Sequence, residues 1–118
     1  MANKGRWILP VVVVLGIGMA ACGDSTTAPP IDSGDVELAT GQEVYADSCS
    51  RCHLANGGGG SGVQLNEGKV VAAYPDAADQ RAVIVEGKNG MPGFGETLTV
   101  EEIDAVVRYT REVLAESP

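Results

Sequence analysis

Cys49-Ser50-Arg51-Cys52-His53 is the stretch of this 118-residue chain that constrains its fold most strongly. Two thiols separated by two residues can each bond to one of the two vinyl groups along the edge of a porphyrin. The histidine that follows is then held beneath the metal. A C-x-x-C-H run is typical of the attachment site of a c-type haem. The motif therefore predicts that Cys49 and Cys52 carry one covalent haem and that His53 is an axial ligand of its iron.

Two other interpretations of the motif are a zinc half-site and a redox dithiol. Structural zinc requires four Cys or His ligands, but the chain contains one His and three Cys, and Cys22 lies far away in a leader segment. A thioredoxin-like dithiol requires a βαβ setting, which the sequence downstream does not show, and it has no use for the adjoining His53. The haem interpretation is therefore favoured.

The second axial ligand is inferred by elimination. Met1 and Met19 lie in the apparent leader, so Met91 is the one thioether left in the mature chain. It lies in Gly90-Met91-Pro92-Gly93-Phe94-Gly95, a stretch too rich in Gly and Pro for a helix or central strand. A loop of this kind suits the presentation of a ligand to a metal. The alternatives are a methionine that fills a gap in the core and an iron that is open or differently ligated.

Helical periodicity marks the segments before the cysteine pair and at the C-terminus. Small or apolar residues follow helical spacing in the first segment, at Leu38, Gly41, Tyr45 and Ser48. The last helix is predicted to begin with a capping box, Thr99 to Glu102. Its core-facing stripe consists of Ile103, Val106, Tyr109, Thr110 and Val113.

A middle helix is predicted between the N-cap Asp76 and Gly87. Its apolar positions at helical spacing are Ala78, Ala82 and Val85. Because no run alternates as a strand between hairpin turns, the fold class is predicted to be all-α. The glycine-rich stretch 57–62 lacks the Lys-Ser/Thr of a phosphate-binding loop and is interpreted as a flexible loop beside the haem.

Residues 36 to 114 resemble a small class I cytochrome c with a single haem. Besides the C-x-x-C-H motif, the run from Gly90 to Phe94 and the helix over 103–109 are similar to the family's. The resemblance implies three or more helices packed around one covalent haem. It also implies that Gly41 and Tyr45 lie where the first and last helices cross, since a small residue lets the two backbones approach.

The chain departs from the family's pattern at two positions. The family often has Pro in the loop after the haem His, with its carbonyl accepting the hydrogen bond from the His ring, and the counterpart here is Val63. Any residue supplies a carbonyl, so the resemblance implies this role for Val63. The residue after the haem His is often Gly, and here it is Leu54.

The N-terminus has the pattern of a secretory signal: Lys4 and Arg6, an apolar run over 7–17, and a small-residue end. Met19-Ala20-Ala21-Cys22 resembles a bacterial lipobox, in which the Cys becomes the acylated first residue. We therefore predict a lipoprotein signal peptide over 1–21, an acylated Cys22 with a flexible linker over 22–35, and a cytochrome c domain over 36–118. The alternatives are an ordinary signal cut near Ala21 and an uncleaved anchor. The apolar run over 7–21 is shorter than the ~20 residues that span a bilayer.

The predicted acylation indicates the cellular location of the domain. A lipobox lipoprotein carries at least two acyl chains, and two chains give stable membrane attachment where one is marginal. The polar linker after Cys22 would have a reach of about 20 Å. The chain is therefore expected to be exported and anchored to the outer face of the cytoplasmic membrane, in the cell envelope or periplasm.

Charge narrows the class of partner. Residues 36–118 carry 13 acidic and 6 basic side chains, and the whole chain has a formal net charge of −8. This balance excludes nucleic acid as a partner. An acidic surface speeds encounters with a basic patch on a redox protein, or it keeps an exported domain soluble.

The predicted ligation leaves neither an open iron site nor a free histidine for catalysis. If His53 and Met91, the only His and Met of the mature chain, both bind iron, no vacant iron site remains for a small-molecule substrate. We therefore expect an electron carrier rather than an enzyme, and the resemblance suggests a quinol-oxidising complex as donor and a terminal oxidase as acceptor. The alternatives are a fixed cytochrome subunit of a dehydrogenase complex and, if Met91 is labile, a gas-binding haem sensor.

Overall fold

Helices account for the regular secondary structure in a computed structural model that describes residues 27–32 and 34–118. They are α1 (Val36–Val44), α2 (Ser50–His53), α3 (Lys69–Ala73), α4 (Ala77–Glu86) and α5 (Val100–Tyr109). Within this part of the chain the one sheet-like pairing is an isolated bridge between Lys88 and Met91, and no helix is long and apolar enough to cross a membrane. The prediction of an all-α fold is confirmed. The predicted signal peptide (1–21) and Cys22 lie outside the described residues.

Side-chain caps fix where three of the helices begin. Asp35 accepts the amide hydrogen of Leu38 at the start of α1, and Asp76 accepts that of Ala78 at the start of α4. At α5 the predicted capping box forms in both directions between Thr99 and Glu102. Each cap satisfies an amide that the first helical turn leaves without a partner. The predicted helix starts at Asp76 and Thr99 are confirmed.

A π-helical turn over Tyr45–Cys49 joins α1 to α2 without a break in the helix. The amide of Ser50 donates to the carbonyl of Tyr45, five residues back. The extra residue in such a turn rotates everything after it by about 100° relative to a regular α-helix. It therefore sets the direction in which the side chains of Cys52 and His53 project from the helix. A second π-helical turn, Thr110–Leu114, continues α5.

The core is centred on the crossing of α1 and α5. Gly41 lies so close to α5 that a Cβ on it would stand 2.7 Å from the Cβ of Tyr109 and closer still to the carbonyl of Ala105. One turn further on, the rings of Tyr45 and Tyr109 pack with centroids 5.6 Å apart. Both tyrosines are almost fully buried. The predicted crossing at Gly41 and Tyr45 is confirmed.

Helix α4 presents a different face to the core from the one the alanines indicate. Its buried residues are Gln80 and Ile84, one turn apart, whereas Ala78 and Ala82 are exposed. The side-chain Nε2 of Gln80 donates to the hydroxyl of Thr110 at 2.7 Å, and this hydrogen bond is buried. A polar side chain is tolerated in the core when it is hydrogen-bonded. The predicted helix is confirmed; of its three apolar positions Val85 packs against the core, and the two alanines do not.

The segment just before α1 is held against the domain. The side-chain Nε2 of Gln42 donates to the carbonyl of Pro29, and Ile31 packs against the hydrophobic core. Arg108 on α5 forms ion pairs with Asp35 at 2.8 Å and with Glu37 at 2.9 Å. The hydrogen bond from Arg108 lowers the pKa of the Asp35 carboxyl below its usual value. The described end of the predicted linker is therefore docked on the α1–α5 face.

Candidate haem site

His53 is buried, with 8% of its surface exposed. Its ring Nδ1 lies 2.7 Å from the carbonyl oxygen of Val63. Since a carbonyl can only accept a hydrogen bond, Nδ1 must carry the hydrogen, and Nε2 is left with a free lone pair. Metal-bound histidines are commonly oriented by such a bond from the second ring nitrogen. The expected role of the Val63 carbonyl is thus confirmed, and Nε2 is the nitrogen available to a metal.

The glycine-rich segment encloses the imidazole. A Cβ on Gly62 would stand 2.7 Å from the ring Cε1 of His53, so only glycine allows this approach. The amide of Gly62 donates to Cys52 O at 2.8 Å, and the amide of Gly59 donates to His53 O at 3.0 Å. The segment over 57–62 is a loop that lies beside the predicted haem ligand, as expected. Because the glycines have no side chains, the backbone can pack closely around His53, and the hydrogen bonds hold that backbone in place.

The two cysteines of the motif are free thiols that differ in exposure. Cys49 is partly buried and Cys52 is exposed. Burial, and then the nearby Cys52, raises the pKa of the Cys49 thiol to about 11. An unmodified Cys49 therefore stays neutral at physiological pH. This environment suits a neutral thioether bond to a porphyrin.

Leu54, directly after the histidine, adopts a backbone conformation that only glycine takes without strain. Its φ is 64° and its ψ is 158°, a combination that costs other residues about 1–3 kcal/mol. The hydroxyl of Tyr45 donates to the Leu54 carbonyl at 2.8 Å. Burial raises the pKa of Tyr45 far above its usual value, so the hydroxyl remains a donor. This hydrogen bond helps to hold the strained residue.

Met91 is presented by a tight turn. The amide of Lys88 donates to Met91 O at 3.1 Å, and the amide of Met91 donates back to Lys88 O at 3.0 Å. Between them Asn89 has a φ of 55°, which Asn tolerates better than most residues. An Asn-Gly pair is a strong sequence signal for a two-residue turn. This signal at Asn89-Gly90 would have predicted how Met91 is held, beyond its lying in a loop.

The chain after Met91 is fixed to the end of α4. Phe94 and Gly95 donate their amide hydrogens to the last-turn carbonyls of Ile84 and Val85. A Cβ on Gly93 would stand 2.7 Å from Val85 O, so the loop lies flat on the helix end. Met91 and Cys49 pack against the same hydrophobic core. Both predicted ligand segments therefore contact the core of the domain.

These residues fit a covalently attached haem. The fold provides two unpaired thiols, a histidine with a free Nε2 and a thioether on a fixed turn. The glycine contact at Gly62 holds the imidazole in one orientation. In such a site Cys49 and Cys52 would form the thioether bonds. His53 would bind the iron.

Comparison with known proteins identifies the family. The family model described as "Cytochrome C oxidase, cbb3-type, subunit III" matches residues 36–109. Cytochrome c6 from Parathermosynechococcus lividus is 33% identical over 84 residues, which cover 67% of this chain and 93% of that protein. The chain belongs to the small class I cytochromes c. The cytochrome therefore carries one covalent c-type haem and transfers electrons through it, as predicted, and it is a carrier rather than an enzyme.

Solved structures show the same fold. Cytochrome c6C from Synechococcus sp. PCC 7002 matches with a TM-score of 0.54 and 30% identity, covering 62% of this cytochrome and 92% of that chain. The dihydro-heme d1 dehydrogenase NirN in complex with DHE matches with a TM-score of 0.58 and 32% identity, covering 63% of this cytochrome. The match spans only 16% of the dehydrogenase chain. The similarity to NirN is thus confined to a small part of that protein.

Proposed function

We propose that this cytochrome carries single electrons between two redox proteins, with His53 and Met91 as the axial ligands of its iron. The observation that carries the proposal is the 2.7 Å contact between His53 Nδ1 and the Val63 carbonyl, which leaves Nε2 to the metal. The turn that presents Met91 supports the second ligand. When bound, an iron held by nitrogen and thioether sulfur gains and loses one electron without changing ligands, at a potential that the thioether raises.

The segments that flank the two ligands suit a protein partner. Residues 54–65 and 89–95 contain no charged side chain, although residues 36–118 carry 13 acidic and 6 basic groups. Val63, whose carbonyl holds His53, is 72% exposed. An uncharged contact surface permits close approach, and the excess of acidic groups in the domain favours a partner with a basic rim.

We propose a quinol-oxidising complex as the donor and a terminal oxidase as the acceptor. A match to a family model named for an oxidase subunit supports the acceptor. The same name, and the match to part of a dehydrogenase, favour as a second candidate a cytochrome that is fixed in one enzyme complex. Cytochrome c6 from Parathermosynechococcus lividus, 93% of which is matched, favours the separate carrier. Persistent copurification with one complex after a salt wash would support the fixed subunit.

The absorption spectrum of the purified protein, oxidised and reduced, tests the proposed ligation. We expect the haem to stay attached to the chain after denaturation. We also expect a weak long-wavelength ferric band from the iron–sulfur bond, and no binding of CO by the ferrous protein. A closed site of this kind leaves no position for an external ligand. Absence of the band together with ready CO binding would instead support a gas-binding sensor.

We also propose that residues 1–21 are a lipoprotein signal peptide, that Cys22 is acylated, and that the residues up to 35 tether the domain to the outer face of the cytoplasmic membrane. Two acyl chains would make the attachment stable. The support is the lipobox-like Met19-Ala20-Ala21-Cys22 after a basic and an apolar stretch.

Labelling of cells with a radioactive fatty acid tests the anchor. The wild type and Met19→Leu, which moves the sequence towards the usual lipobox, are expected to take up label in equal amounts. Cys22→Ala is expected to lose at least nine-tenths of it, since it removes the only thiol of the lipobox. An unlabelled wild type that is cut near Ala21 would contradict the proposal and support an ordinary secretory signal.

A further inference from the structure

Lys88, at the start of the turn that carries Met91, contacts a side chain from another part of the chain. Its Nζ donates to the hydroxyl of Tyr74 at 3.2 Å. The same Nζ lies 5.4 Å from the centroid of the Tyr74 ring, and the two distances together place it beyond the hydroxyl oxygen and not over the ring face. Lys88 thus makes one polar contact with Tyr74, the residue that follows α3.

Tyr74 is itself firmly held. Arg111, in the π-helical turn that continues α5, donates to the carbonyl of Tyr74 at 2.7 Å and to that of Pro75 at 2.9 Å. The amide of Tyr74 donates to Val70 O at the end of α3. Because its backbone is bonded to two helical elements, Tyr74 can serve as a fixed point for a neighbouring mobile side chain.

The chain on either side of the turn is bonded to α4, through the amides of Gly87 and Phe94, but the turn itself makes few polar contacts with other elements. In the described part of the chain, the backbone of residues 88–93 makes hydrogen bonds only within the turn, between Lys88 and Met91. Lys88, Asn89 and Gly90 are exposed, and a Cβ on Gly90 would meet no atom within 4 Å. The contact with Tyr74 is therefore the polar tie between this turn and the rest of the described domain.

We propose that Tyr74 and Lys88 form a latch that keeps Met91 on the iron; the inference rests on the proposed ligation by Met91. Lys88 and Met91 are bonded to each other by two backbone hydrogen bonds, so movement of one end of the turn displaces the other. Tyr74 and Lys88 are positioning residues that act through Met91. Their contact lowers the population of the state in which the thioether has left the metal.

Imidazole binding to the ferric holoprotein measures that population. Imidazole must replace Met91 on the iron. Its apparent affinity therefore rises in proportion to the fraction of molecules in which Met91 is dissociated from the iron. Lys88→Met and Tyr74→Phe each remove this hydrogen bond from one side, and each is expected to tighten imidazole binding about 2- to 3-fold. Lys88→Arg should restore most of the wild-type value. In Tyr74→Phe/Lys88→Met the two effects should not add.

A matched control is Arg81→Met, which removes the exposed 2.6 Å ion pair between Arg81 and Asp104 on α4 and α5. It should leave the imidazole affinity unchanged. Equal tightening in Arg81→Met and Lys88→Met, or no change in Lys88→Met, would overturn the latch. A wild type that lacks the iron–sulfur band and binds imidazole as tightly as Met91→Ala would instead show that Met91 is not the ligand, and the latch would fall with it.

Discussion

Gly41→Ala is expected to lower the free energy of unfolding by about 3 kcal/mol or more, the upper end of the cost of overpacking a core. The new methyl group would stand 2.7 Å from Tyr109 Cβ and would also collide with the carbonyl of Ala105. Alanine favours a helix over glycine by only about 1 kcal/mol, so the clash dominates. Unfolding of the holoprotein in denaturant, followed by haem absorbance, measures the change.

Gly90→Ala is the matched control for this substitution. It adds the same methyl group where no atom lies within 4 Å, and it should change stability by at most about 0.5 kcal/mol. A Gly41→Ala protein as stable as Gly90→Ala would show that the helices can separate at their crossing without loss. The close contact between α1 and α5 would then not be what stabilises the domain.

Local patterns in the sequence predict the elements that depend on neighbouring residues. The caps at Asp76 and Thr99 were predictable because a short polar side chain before an apolar run satisfies the free amides of a first turn. The stripe along α5 and the turn that continues it was predictable because its residues recur at helical spacing, and four of its members, Ile103, Val106, Tyr109 and Thr110, are buried. The C-x-x-C-H motif predicted the haem because its spacing matches the chemistry of the porphyrin edge.

Features that depend on distant partners could not be predicted in this way. The buried face of α4 contains Gln80 because Thr110, thirty residues on, offers it a hydroxyl. The π-helical turn over Tyr45–Cys49 has no periodic pattern in the sequence that distinguishes it from an α-helix. Leu54 was noticed as a departure from the family's glycine, and the structure supplies the reason for that glycine in its φ of 64°.

Met91→Ala is expected to lower the reduction potential by at least about 0.1 V, a small part of the ~0.8 V over which axial ligands set haem potentials. Loss of the thioether removes the ligand that favours ferrous iron. At ~59 mV per tenfold change for one electron, the shift corresponds to about a 50-fold change in the equilibrium with a redox partner. Spectroscopic redox titration of the variant and the wild type measures it.

Met91→Leu separates ligation from packing. Met91 packs against the hydrophobic core, so alanine there also leaves a cavity, whereas leucine keeps most of the apolar volume without the sulfur. If ligation sets the potential, both variants should show the same drop, lose the long-wavelength ferric band and bind CO when reduced. If Met91→Leu kept the wild-type potential and remained closed to CO, the sulfur would not be the ligand, and burial of the haem by the 88–95 loop would be what sets its potential.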